Sequence, residues 1–184
     1  SGKSTFIKTI AINAVLAQSI YTCCAKEYAS SYFKIYTSMA LKDNVLSNES
    51  YYIVEIKSLK RILDSVDDSI PSLCFVDEIL RGTNTIERIA SSSEVLKSLS
   101  EDNCICFAAT HDIELTYLLE DKFDNYHFEE NITDNDIRFD YKLYKGRAES
   151  RNAIKLLSFM GYSDEIVKRA QERAEKFVCK GKWQ

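Results

Sequence analysis

Apolar positions along the chain change period several times, and each change marks an element. Phe6, Ile7, Ile10, Ala14, Val15 and Ile20 fall broadly on one side of a helix. The stretch from Ser31 to Met39 is rich in aromatic and β-branched residues and reads as a strand. Helical spacing returns with Ile53, Ile56, Leu59, Ile62 and Leu63. Two short runs follow, LCFV (Leu73 to Val76) and CICFAA (Cys104 to Ala109). Neither alternates and neither is long enough for a helix, which predicts strands buried on both faces of a parallel sheet. Ile86 to Leu99 between them reads as the crossover helix of a βαβ unit. YHFEENITDNDIRFDYKLY then gives two alternating strands around a polar Thr133 to Asp136 turn. Two helices close the chain, Glu149 to Met160 and Asp164 to Val178, with Gly161 ending the first and Ser163 as the N-cap of the second.

Composition narrows this little. The 184 residues are 45% apolar and 28% charged, ordinary for one globular domain with a sizeable core. A net charge of −4 offers no general argument for nucleic-acid or membrane binding, so if DNA is involved this chain is not the part that grips it. No apolar run approaches the roughly 18 residues that span a bilayer. The six cysteines form no CxxC pair, and Cys74, Cys104 and Cys106 lie inside apolar runs. They read as buried, reduced thiols of a cytoplasmic protein. Metal binding is the alternative, with His111 and His127 the two histidines available.

Three short segments carry candidate chemistry. SGKST, Ser1 to Thr5, is the second half of a phosphate loop of the form G-x-x-x-x-G-K-[ST], with Gly2, Lys3 and Ser4 in the last three places. Backbone N–H groups of such a loop cradle phosphates, and the helix that follows adds the positive end of its dipole. Lys3 would reach the β- and γ-phosphates, and the Ser4 hydroxyl would ligate Mg²⁺. The LCFV strand runs into Asp77 and Glu78, at the sheet edge where open α/β sheets bind ligands. Asp77 suits an acid that orients Mg²⁺ through its water shell, and Glu78 could polarise an attacking water. The CICFAA strand runs into Thr110, His111 and Asp112 at the same edge, where His111 could hydrogen-bond the γ-phosphate. His127 has no such context and is read as a hairpin residue.

Together these segments resemble the ATPase domain of the MutS family of DNA mismatch repair proteins. DEILRGTNT, Asp77 to Thr85, is similar to the family's DEI-x-RGT-S-T segment, with Leu80 for a glycine and Asn84 for a serine. THDIEL, Thr110 to Leu115, resembles TH-x-x-EL. DNVLSNESYYIVEI, Asp43 to Ile56, resembles D-D-L-x-x-G-x-STF-x-x-E. Ser50 and Glu55 match it, while Asn48, Tyr51 and Tyr52 replace Gly, Thr and Phe. The last segment, from Gly146 to Ala174, resembles the family's terminal helix pair, with Gly146, Ser150, Ala153, Gly161 and Ala170 in register.

The resemblance implies an α/β P-loop NTPase fold of the ABC-ATPase type. It would have a mainly parallel central sheet flanked by helices, a β-hairpin and a C-terminal helix pair. It implies an ATPase domain over 1–145 and a dimerising helix pair over 146–184. In the family a strand and a G-x-N-x-x-GKS loop precede the position of Ser1, so the chain is expected to be a C-terminal fragment cut inside the loop. The missing half would supply the first glycine, further N–H groups and part of the adenine contact, and its loss would expose a sheet edge. The implied activity is Mg-dependent ATP hydrolysis in a homodimer with composite sites. Ser1 to Thr5, Asp77, Glu78 and His111 of one subunit would act with Ser50 of the other. Ser50 also suits a helix N-cap before Ile53. Arg81 is read as bracing its loop, with Thr83 and Thr85 at the dimer contact. The stripe Ile166, Val167, Ala170, Ala174 and Phe177 packs either across the dimer or on its own domain. DNA would be held by upstream domains, with other mismatch repair proteins as further partners and no membrane, in the bacterial cytoplasm or nucleoid. Three alternatives stand beside this reading: a MutS-like ATPase for recombination or other DNA structures, another ABC-type ATPase, and a non-catalytic dimerisation module. LSNES in place of an LSGGQ-like signature counts against the second.

Overall fold

Four consecutive apolar residues, Leu73 to Val76, are each at most 4% exposed, and the fold is arranged to cover them. The computed structural model describes residues 2–39, 51–67, 69–101, 103–133, 136–148 and 152–181, in two units, 2–125 and 126–184. The first unit runs α1 (Lys3–Ile20), β1 (Lys34–Ser38), α2 (Tyr51–Ser65), β2 (Ser72–Asp77), α3 (Thr85–Glu101), β3 (Cys104–Ala109) and α4 (Ile113–Leu118). Its strands form a parallel sheet in the order β1-β2-β3, with Phe75 opposite Phe107 and Asp77 opposite Ala109. The Phe75 and Phe107 rings stack with centroids 5.5 Å apart.

Side chains of β2 alternate between two helical layers, as a strand's period of two requires. Leu73 and Phe75 pack with Ile7, Ala11 and Ala14 of α1. Cys74 packs with Ile62 of α2 and Leu99 of α3, and Val76 with Leu59, Leu96 and Leu115. The βαβ unit expected from the two apolar runs is therefore present, with α3 as its crossover.

Several expectations need correction. Val15 and Ile20 are exposed, because α1 buries the narrower line Ile7, Ala11 and Ala14. Ile53 and Ile56 are also exposed, since α2 turns Glu55, Leu59 and Ile62 inward. β3 is not buried on both faces: it is the sheet's edge among the described residues, and Ile105 is 51% exposed. All six cysteines are free thiols, as expected, but Cys24 and Cys179 are exposed and Cys74 alone is buried. The Cys74 Sγ lies 3.2 Å from that of Cys104, while burial first, then Cys104, pushes the Cys106 thiol up to about 12.

The second unit holds an antiparallel hairpin, β4 (Tyr126–Thr133) and β5 (Asp136–Lys145), then α5 (Ala153–Phe159) and α6 (Asp164–Lys180). Glu149 and Ser150 lie outside the described residues. The α5 terminus closes where expected: Gly161 N–H donates to Ser158 O and Tyr162 N–H to Leu157 O, a paired helix stop. Ser163 precedes α6 as expected, but its side chain makes no capping bond; its carbonyl accepts from Ile166 N–H instead. Asn152 Nδ2 donates to Glu130 O at 3.3 Å, tying the head of α5 to the hairpin. Val167 and Ala174 face Ile154 across an apolar groove between α5 and α6, whereas Ile166 is 51% exposed.

Two outcomes follow. Phe75→Ala should cost about 3–5 kcal/mol in urea unfolding, through lost burial and a residual cavity. Asp67 is held below the usual carboxylate range, first by Lys34 Nζ at 2.5 Å and then by Ser69. A depressed folded value contributes stability above the unfolded value of about 3.9 that disappears as pH falls through the folded one. Asp67→Asn should therefore be slightly less stable than the parent near neutrality, with the difference closing in acid.

Candidate functional site

The candidate site lies at the end of the sheet, because β2 and β3 stop where their polar residues start. Asp77 is the last residue of β2, and Glu78 N–H donates to Ala109 O at 2.8 Å, one further rung of the β2–β3 ladder. The parallel register thus brings the acids beside Thr110 and His111, which follow β3 directly.

Helix α1 starts at the same edge. Gly2 caps it and Phe6 N–H donates to Gly2 O at 2.9 Å, so Lys3, Ser4 and Thr5 form its first turn. Ser4 Oγ donates to Asp77 Oδ1 at 3.0 Å, joining residues 73 positions apart. Two hard oxygen donors so placed suit Mg²⁺. Among the described residues no group of three or more His, Cys, Asp or Glu could hold a metal by itself, so further ligands would have to come from phosphate and water.

Glu78 is the centre of the polar network. Its Oε1 lies 3.0 Å from His111 Nε2, and Arg81 pairs with its other oxygen. Glu78 is mostly covered, while His111 and Arg81 are largely exposed. The His111 loop is pinned from two sides. Asp112 N–H donates to Thr110 Oγ1 at 2.9 Å, and Arg88 of α3 grips the Asp112 carboxylate through Nε at 2.8 Å and Nη2 at 2.6 Å. The fork geometry suits a planar carboxylate, and that bond raises the Arg88 pKa further. These side chains, with Thr110 and Ile79, line a cavity of about 250 Å³.

The structure therefore brings Ser4 to Asp77 and Glu78 to His111, and sets Lys3 and Thr5 beside Ser4. Ser1 and Ser50 lie outside the described residues, as do Asn48 and Glu49. Arg81 contacts Glu78, an i,i+3 pair within its loop. His127 belongs to the hairpin, with Nδ1 3.0 Å from Gly146 O and Nε2 3.2 Å from Glu129. Sequence reasoning placed Asp112 at this edge but gave it no role, and it did not identify Arg88. The two stand 24 positions apart, and no local pattern links an arginine on a crossover helix to an acid after the next strand.

Loop 78–82 is unusual. Glu78 and Leu80 both have left-handed backbones, φ 59° and 55°, which residues with a Cβ seldom adopt. Below them lies Glu55 of α2, 2% exposed, whose Oε1 accepts the Leu80 N–H. Burial raises the Glu55 pKa, against the opposing pull of the Leu80 and Arg81 backbone N–H groups.

Sequence comparisons agree with these motifs. The family model described as MutS domain V matches residues 1–178. DNA mismatch repair protein MutS 2 of Haloarcula marismortui is 30% identical over 94% of this chain, and DNA mismatch repair protein MutS of Thermus thermophilus is 28% identical over 93%. MutS protein homolog 4 of Homo sapiens is 33% identical over 94%. These alignments take in 18%, 21% and 19% of the respective relatives, so the chain spans about a fifth of their length. With a match that runs from Ser1 almost to the end of α6, the chain belongs to the MutS family, as its domain V.

Proposed function

We propose that this chain is the ATP-binding and ATP-hydrolysing domain of a MutS-like DNA mismatch repair protein, with a P-loop NTPase fold. The observation that carries the reading is the 3.0 Å hydrogen bond from Ser4 to Asp77, which joins the GKS helix start to the acidic end of β2. That is the arrangement a Mg-nucleotide site requires. Ser4 and Asp77 would hold Mg²⁺, which supplies charge neutralisation on the phosphates. Lys3 and the N–H groups at the start of α1 bind the phosphate oxygens. Glu78 accepts the proton of the attacking water, and His111, whose Nε2 lies 3.0 Å from Glu78 Oε1, orients that carboxylate. Catalysis is then positioning plus charge stabilisation.

In this reading the protein works as a homodimer, with Ser50 of each chain donating its hydroxyl to the nucleotide of the other. ATP closes the dimer and hydrolysis opens it, and the motion reaches DNA held by parts of the protein outside this chain. The relatives carry the names DNA mismatch repair protein MutS and MutS protein homolog 4. Mismatched DNA is the target we assign, and another DNA structure is the alternative.

Glu78→Gln should bind ATP normally and hydrolyse it about 10²–10⁴-fold more slowly, the range of a lost general base. Unchanged turnover, measured as phosphate release in the full-length protein, would remove Glu78 from that role. Lys3→Ala should lose ATP binding itself, read by a fluorescent nucleotide analogue. A composite site also requires turnover per chain to rise with protein concentration and to fall in Ser50→Ala. A rate flat across a dilution series in which the dimer dissociates would exclude the trans arrangement.

A further inference from the structure

Glu55 is an acid in a place where packing alone calls for an apolar side chain. It lies on the buried line of α2, one turn before Leu59 and two before Ile62, and is 2% exposed. Removing a carboxyl group from water is unfavourable unless something inside uses it. Here its Oε1 accepts the backbone N–H of Leu80, a bond between groups 25 positions apart.

That N–H sits at a critical point. Leu80 is left-handed, as is Glu78 two residues before it. Residues held in such conformations persist only when their surroundings over-determine them. Two bonds do so here. Glu78 N–H is fixed by Ala109 O of β3, and Leu80 N–H is fixed by Glu55 of α2. The stretch between them carries the Glu78 side chain to His111 and Arg81. A second contact from the same helix presses on the far end of the loop. A Cβ on Gly82 would lie 2.6 Å from Tyr52 Cβ, so α2 and the loop approach closely enough to exclude any side chain there.

We propose that Glu55 is a positioning residue for Glu78: by accepting the Leu80 N–H from beneath, it holds loop 78–82 in the shape that aims the Glu78 carboxylate into the cavity. The proposal rests on the ATPase reading for its kinetic consequence, not for its geometry. Glu55 is 2% exposed and does not line the cavity. Its loss should therefore act on kcat and leave nucleotide affinity alone. The role needs an acceptor oxygen, not a charge, so an amide should serve.

The test compares Glu55→Leu, Glu55→Gln and Glu78→Gln in the full-length protein, with Mg-ATP hydrolysis, ATP-analogue binding and amide hydrogen exchange as readouts. Glu55→Leu should lower kcat by about 30-fold or more, the scale of a misaligned catalytic group, with affinity and KM within about threefold. Glu55→Gln should keep kcat within about threefold. The Leu80 amide should exchange slowly in the parent and in Glu55→Gln, and fast in Glu55→Leu. Wild-type kcat in a folded Glu55→Leu overturns the proposal, and so does a Glu55→Gln as slow as Glu55→Leu. If Glu55→Leu does not fold, a fast-exchanging Leu80 amide in the parent, or a slow Glu55→Gln, overturns it. A Glu78→Gln with normal turnover refutes the catalytic reading instead, and the exchange of Leu80 still decides whether Glu55 holds the loop.

Discussion

Burial of β2 on both faces is the constraint from which the site follows. Leu73 and Phe75 face α1 while Cys74 and Val76 face α2 and α3, so the strand has no side on which a charge could sit. Its first charged residues, Asp77 and Glu78, must come where the sheet ends. The register with the parallel partner β3 sets Asp77 beside Ala109, just before Thr110 and His111. The helix that covers the Phe75 face is α1, whose first turn carries Lys3 and Ser4. Apolar packing deep in the sheet therefore fixes which polar groups meet at its edge.

Side-chain to backbone bonds then shape what packing leaves open. The loop after β2 includes two left-handed residues that are not glycine, and it is pinned by Ala109 O and Glu55. The loop after β3 is pinned by Thr110 and by Arg88, whose guanidinium spans both oxygens of Asp112. In each case a helix from the α2/α3 layer grips the segment that presents a functional side chain. Glu78 and His111 lie 3.0 Å apart because both segments are held.

The chain belongs to the MutS family and spans about a fifth of the length of the relatives it matches. The net charge of −4 offers no general electrostatic argument for nucleic-acid binding by this chain. Among the described residues no helix is long and apolar enough to cross a membrane.

Much was legible in the order of residues alone. Runs without alternation, LCFV and CICFAA, marked strands of a parallel sheet, although the first is buried on both faces and the second is not. Acids and a histidine directly after those runs marked one sheet edge, and GKS marked the start of α1. Periodicity did less well on which helix face is buried. It counted Ile53 and Ile56 as inward and passed over Glu55, because hydropathy alone assigns an acid to solvent. It also treated β3 as fully covered, although the strand's neighbours are set by topology. The sequence by itself determined which groups are available at the edge of the sheet. Only the tertiary structure decided how they are aimed, since the bonds that do this, Glu55 to Leu80 and Arg88 to Asp112, join residues 25 and 24 positions apart, and no local spacing encodes them.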